Sequence, residues 1–140
     1  PYLTEKIPRL ELLIAGKICN EMKEKKGVVL LGEVEKIEDA YEESDIVINP
    51  LTFGTGLKIK MIEALGFSKA VITTETGAQG MESGRNEAFL TAETKEDYFR
   101  QIDSLMNDPV LFGDICKNAF KFAQTENEKN IEKLKILVQN

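Results

Sequence analysis

NPLTFGTGLKIKMIEA, residues 49–64 of the chain, changes its periodicity partway through. The apolar run DIVIN (45–49) leads into it and is stopped by Pro50, which cannot donate to a sheet ladder. Beyond the glycines, Ile59, Ile62 and Leu65 recur three apart, a stripe suited to packing a helix (57–65) on a sheet. A strand, a glycine-bearing loop and a helix beginning near Gly56 open a βαβ unit, and the next apolar run, AVITT (70–74), supplies its second strand. Gly66 stands where a left-handed residue commonly closes such a helix.

The same alternation continues on both sides. LELLIA (10–15) and VVLL (28–31), the latter ended by Gly32, read as earlier strands, and residues 88–91 as a shorter, weaker fifth. Residues 36–43 place Ile37, Ala40 and Tyr41 at helical spacing. Continuous apolar runs, in place of strict alternation, suit strands covered on both faces. The expected class is therefore α/β: a Rossmann-like, doubly wound parallel sheet of about five strands with right-handed crossovers and helices on both faces.

From Lys95 onward the pattern is helical. Thr94 is an N-cap for a helix that turns Tyr98, Ile102, Leu105 and Met106 to one side. Asp108-Pro109 restarts a helix, and a last one, over 126–138, carries Ile131, Leu134, Leu137 and Val138 on one face. Its highly charged start reads as a solvated surface.

Composition narrows the function. The 140 residues suit one domain, and 42% apolar content is enough for a core. A net charge of -6 excludes a nucleic-acid polymer as partner, since phosphate backbones require a basic surface. There is no histidine, which removes His general bases, His metal ligands and Ser-His-Asp chemistry together. No apolar run is long enough to span a bilayer and no leader pattern opens the chain. Cys19 and Cys116, far apart on segments that read as helical, are expected as reduced, partly buried thiols of a cytoplasmic protein.

Chemistry is left to carboxylates, lysines, hydroxyls and backbone N–H groups, and these converge after the third strand. Ligands of open α/β sheets sit at the carboxyl ends of strands, where helix N-termini offer free N–H groups to anions. Gly54 and Gly56 allow close backbone approach to a phosphate. Lys58 and Lys60 occupy the first helical turn, where the dipole disfavours cations by roughly 0.3–1 kcal/mol each, and no acidic residue compensates. Gly56, Lys60 and Glu63 share a stripe, with Lys58 on the other side of a regular turn. Glu63 has two oxygens to receive a pair of sugar hydroxyls one turn below the phosphate. Spacing alone leaves a second reading open: Lys60 and Glu63 as a surface i, i+3 pair worth a few tenths of a kcal/mol.

The segment PLTFGTGLKIKMIEALGFSKAVITTETGAQGM resembles the donor-site core of the retaining glycosyltransferases of group 1, which have the GT-B fold. That pattern runs P-x-x-x-G-x-G-x-K/R-x-K-x-x-E-A, then an apolar strand, then G-x-x-G-L/M. LELLIAG, GVVLLGEV and AYEESDIVINP precede it in the family's order, so the resemblance covers roughly residues 8–125. It implies half of a GT-B fold, the C-terminal domain that binds a nucleoside diphosphate sugar, with transfer retaining anomeric configuration. Glu63 would bind the ribose hydroxyls, and Gly54, Thr55 and Gly56 would lie beside the sugar and diphosphate. Lys60, the lysine of the motif, would meet phosphate. Gly32 and Val34 would border the nucleobase, and Gly77 to Gly80 would form a neighbouring loop.

Two departures stand out. Many relatives carry a glutamate where this chain has Thr55, so a contact to the donor sugar differs. Ser68 and Ala70 replace the usual glycine and proline after the helix, with Gly66 expected to serve as the helix end.

The resemblance further implies that the family's first strand, and the N-terminal domain that binds a glycan or lipid-linked acceptor, lie outside this chain, which alone is not expected to catalyse transfer. No metal or other cofactor is expected. The exposed face of the last helix would dock on that other domain or drive self-association. The full protein would be cytoplasmic or peripheral to the inner membrane face. Two other readings share the architecture: a sugar-nucleotide epimerase, which the lack of histidine disfavours, and a flavodoxin-like receiver, which needs an aspartate at a strand's carboxyl end where this chain has Asn49-Pro50.

Overall fold

A computed structural model describes residues 2–54 and 59–139. After a short helix α1 (Tyr2–Lys6), strands and helices alternate: β1 (Leu12–Ala15), a 3-10 turn, β2 (Val28–Gly32), α2 (Ile37–Glu42), β3 (Ile46–Asn49), α3 (Ile59–Gly66), β4 (Ala70–Thr73) and α4 (Glu75–Ala78). A second 3-10 turn, β5 (Leu90–Thr91), α5 (Lys95–Asn107) and α6 (Pro109–Gln139) complete the chain. All five expected strands form, and every pairing among the described residues is parallel.

They make two hydrogen-bonded sheets, β1-β2 and β3-β4-β5, where the sequence led us to expect one. β1, β2, β3 and β5 each keep an edge unpaired among the described residues. β5 is shorter than read because the N–H groups of Ala88 and Phe89 bond the Gly84 carbonyl in the preceding turn and so lie outside the ladder.

Alternation along β4 shows why the sheet is covered twice. Val71 faces a cluster with Met61, Ala64, Leu65 and Phe89, while Ala70 and Ile72 face Leu90, Tyr98, Ile102, Leu105 and Ile115 on the other side. Helix α6 borders both layers, the second through Leu111, Phe112, Ile115 and Cys116 and the first through Ala119, Phe122 and Ala123.

The C-terminal helices begin as their caps dictate. Thr94 accepts from the Asp97 N–H at 3.1 Å while the Asp97 carboxylate accepts from the Thr94 N–H at 3.0 Å, a capping box built with aspartate. The Thr94 hydroxyl, first, and its backbone N–H hold the Asp97 carboxyl well below the usual carboxylate range. Asp108 accepts from the N–H groups of Val110 and Leu111, and Pro109 fills the first position, where it has no N–H to lose. The separate last helix expected at 126–138 is instead the distal part of one 31-residue helix. No proline follows Pro109, so nothing breaks the ladder at residue 126.

That distal part exposes Leu134 (61%) and Val138 (84%), so the expected apolar stripe is solvent-facing. No described helix is long and apolar enough to cross a membrane. Both cysteines are free, with Cys19 buried and donating to the Ile14 carbonyl.

Helix α3 ends differently from the expectation. Gly66 is its last helical residue with ordinary dihedrals, and the left-handed position falls on Ser68, at φ 57°. The Ser68 N–H bonds the Leu65 carbonyl and the Lys69 N–H bonds the Ala64 carbonyl, the paired closure that requires a left-handed residue two places after the helix. A serine bears the steric cost that glycine avoids. Ser68→Gly is expected to stabilise the protein by about 0.5–1 kcal/mol, the relief of strain less glycine's greater unfolded-state entropy. Thermal unfolding should rise by about 2–3 °C; a fall would mean the serine side chain itself secures the turn.

Candidate functional site

The site is built at the carboxyl ends of β3 and β4, which finish level because Asn49 pairs with Thr73. The Asn49 side-chain amide donates to the Thr73 hydroxyl at 3.3 Å, and that hydroxyl donates to the Asn49 carbonyl at 3.1 Å. One residue on, the Thr74 hydroxyl donates to the Leu51 carbonyl and accepts from the Gly77 N–H at 2.9 Å. Thr74 therefore caps α4 and ties down the first residues of the loop after Pro50. Read from the sequence alone, Asn49 closes its strand and Thr73 and Thr74 favour strand or turn geometry. Their signal was available in outline, since two threonines close an apolar strand before a short helix.

The loop then reaches Gly54, whose φ of 130° only glycine adopts without strain, while a Cβ there would meet nothing within 4 Å. Among the described residues, then, the glycine is required by backbone shape and not by a close neighbour. Thr55, Gly56 and Lys58 lie outside the described residues.

Lys60, in the first described turn of α3, is exposed. Glu63, one turn on, is half-buried, and its Oε2 accepts a hydrogen bond of 3.0 Å from the Tyr41 hydroxyl on α2. Lys60 and Glu63 do not form an ion pair among the described residues, so the surface-pair reading of that spacing is set aside.

Tyr41 itself is buried and stacks on Phe67, ring centroids 4.8 Å apart. Burial, then the bond to the Glu63 carboxylate and its charge, push the phenol well above its usual range, so it remains a donor throughout neutral pH.

The remaining candidates are dispersed. Gly32 closes β2 at φ 70°, its carbonyl accepting from the Gly16 N–H at 2.6 Å, and Val34 is half-buried in the loop leading to α2. Gly77 is buried in α4, where a Cβ would sit 2.0 Å from the Thr73 hydroxyl. Gly80 is exposed, at φ 84°, and its N–H donates to the Glu82 carboxylate at 2.8 Å, the main reason that carboxyl lies below its usual range. Gly54, Lys60, Gly77 and Gly80 thus follow the carboxyl ends of β3 and β4, while Gly32 and Val34 follow β2 in the other sheet. Among the described residues no three His, Cys, Asp or Glu side chains converge as metal ligands would.

Comparison with known proteins now decides the family. The model of the group 1 glycosyl transferases matches residues 1–108. The chain belongs to the group 1 glycosyltransferases. It is 25% identical over 136 residues to an uncharacterized 44.6 kDa protein of the cps region of Klebsiella pneumoniae, covering 89% of this chain and 35% of that protein. The chain therefore spans about a third of that curated relative.

Among solved structures, it shares the fold of the C-terminal domain of LpcC, a group 1 family protein of Francisella tularensis, with a TM-score of 0.72 at 20% identity. That match covers 89% of this chain and 73% of the other. Anabaena HepE, solved in complex with UDP and glucose, matches with a TM-score of 0.76 at 16% identity, covering 96% of this chain and 42% of HepE. This group 1 glycosyltransferase chain therefore has the fold of the C-terminal half of GT-B proteins, as its alternating strands and helices imply.

Proposed function

We propose that this chain binds a nucleoside diphosphate sugar at the carboxyl ends of β3 and β4 and forms the donor side of a retaining hexosyltransferase acting on a glycan or lipid-linked acceptor. The observation that carries this reading is the Glu63 carboxylate. It is half-buried one turn inside α3, bonded to Tyr41 and not paired with Lys60, and follows a loop anchored through Leu51. A carboxylate so placed accepts hydroxyls of a ribose, while Lys60 and the backbone N–H groups near Gly54 meet the diphosphate. HepE, bound to UDP and glucose in a similar fold, is consistent with that assignment of ligand class. The acceptor site belongs to protein beyond this chain, in a cytoplasmic enzyme that needs no metal at this site.

The test is a thermal-shift and calorimetric titration of the chain with UDP, GDP, ADP, TDP and CMP. A nucleotide at 100 times its dissociation constant adds about 2.7 kcal/mol of stability, a shift of about 8 °C for a domain of this size. Glu63→Ala is expected to weaken the selected nucleotide about tenfold or more, the loss of one charge-assisted hydrogen bond at least. Failure of all five nucleotides to bind the folded wild-type chain would defeat the proposal.

A further inference from the structure

We propose that Tyr41 is the positioning residue of this site: its hydroxyl holds Glu63 Oε2, so that Oε1 faces the ligand and the chain distinguishes a ribose from a deoxyribose. This rests on the donor-site reading above. The observation behind it is a pairing across two elements. Tyr41 is on α2 and Glu63 on α3, 22 residues apart, and their 3.0 Å bond joins a buried ring to a half-buried carboxylate. Glu63 Oε2 accepts the single O–H of Tyr41, so the two oxygens of one carboxylate are inequivalent: one is held by the tyrosine hydroxyl and the other is not.

A free glutamate has three rotatable bonds and presents its oxygens in many directions. The Tyr41 bond selects among them before any ligand arrives. Tyr41 is in turn fixed by its stack on Phe67 at the end of α3, so ring and carboxylate are both referred to the same helix. A preorganised acceptor loses less freedom on binding, and a site built to accept particular hydroxyls rejects an analogue that lacks one. Ribose selectivity is therefore the property that the tyrosine hydroxyl controls, separately from overall stability.

Affinities for UDP and 2′-deoxy-UDP, measured by calorimetry on wild-type, Tyr41→Phe, Glu63→Gln and the double variant, test this. Wild-type is expected to favour UDP, and Tyr41→Phe to reduce that preference by about five- to tenfold. In the Glu63→Gln background the tyrosine change should have no further effect on the ratio. Phe67→Leu, which weakens the stack but keeps the hydroxyl, should lower the thermal midpoint and leave the ratio within about twofold, so instability and lost positioning are read apart.

If Glu63→Gln abolishes the preference while folded Tyr41→Phe leaves it intact, Tyr41 is structural only and this inference falls, with the donor site standing. If wild-type binds neither UDP nor another nucleoside diphosphate, the donor reading falls and takes this one with it.

Discussion

Phe89→Ala is expected to cost about 3–5 kcal/mol, the range for truncating a fully buried aromatic side chain. Phe89 is 0% exposed and belongs to the cluster with Met61, Ala64, Leu65 and Val71. It meets Phe122 of α6 edge-on, with centroids 6.1 Å apart, and an added Cβ at Gly84 would lie 2.8 Å from its ring. The ring is therefore enclosed by β4, α3, α6 and the 3-10 turn at Glu82–Gly84. The loss combines the transfer free energy of the ring with the cavity left behind.

Against a typical total of about 5–15 kcal/mol, the variant would be marginal. With a denaturant dependence of about 2 kcal/mol/M, the urea midpoint should fall by about 1.5–2.5 M. Phe122→Ala, half-buried, should cost less. A double-mutant cycle should return about 0.5–1.5 kcal/mol of coupling for the ring pair. A loss below about 1.5 kcal/mol for Phe89→Ala would show that α6 is not seated on this face.

The sequence carried the architecture because parallel strands buried on both faces leave continuous apolar runs, and β4, with all four residues buried, is the extreme case. Caps were legible for the same local reason: Thr94 and Asp108-Pro109 act through N–H groups within three residues of themselves. Sequence and structure part where two local rules compete. Gly66 was favoured as the helix end on residue type, yet α3 continues through it, and the closing bonds from Ser68 and Lys69 place the left-handed residue two positions later. The helix read at 126–138 from its apolar face is continuous with α6, since no proline after Pro109 interrupts the hydrogen-bond ladder.

The candidate site was legible only along the chain. Gly54, Lys60 and Glu63 stand out by their spacing within one loop and helix. Tyr41 and Thr74 do not, because their roles depend on partners 22 and 23 residues away. Tyr41 reads in sequence as one more apolar position of an amphipathic helix, and its hydroxyl acquires a purpose only when α2 is set beside α3. Gly77 shows the converse: resemblance suggests a loop residue near a ligand, whereas the fold gives a reason for glycine that requires no ligand.

Gly77→Ala should therefore act on stability first. Its φ is unexceptional, so conformational freedom is not what the position needs. The added Cβ would stand 2.0 Å from the Thr73 hydroxyl oxygen and 3.3 Å from the Asn49 side-chain amide. Thr73 is fully buried and β-branched, and its hydroxyl is engaged with Asn49 as both donor and acceptor, so it cannot rotate aside without breaking both bonds.

The expected cost is at or above the upper end of the usual 1–3 kcal/mol for overpacking, visible as a thermal midpoint lowered by about 10 °C. Thr73→Ala removes the colliding oxygen. Alone it should destabilise, by leaving the Asn49 amide without its partner. Combined with Gly77→Ala it should recover part of the loss, giving a coupling of at least about 1 kcal/mol. Additive effects within about 0.5 kcal/mol, together with an unchanged midpoint for Gly77→Ala and weakened nucleotide binding, would reverse the assignment. The glycine would then be required by a ligand lying against α4, and the Asn49–Thr73–Gly77 contact would be incidental to it.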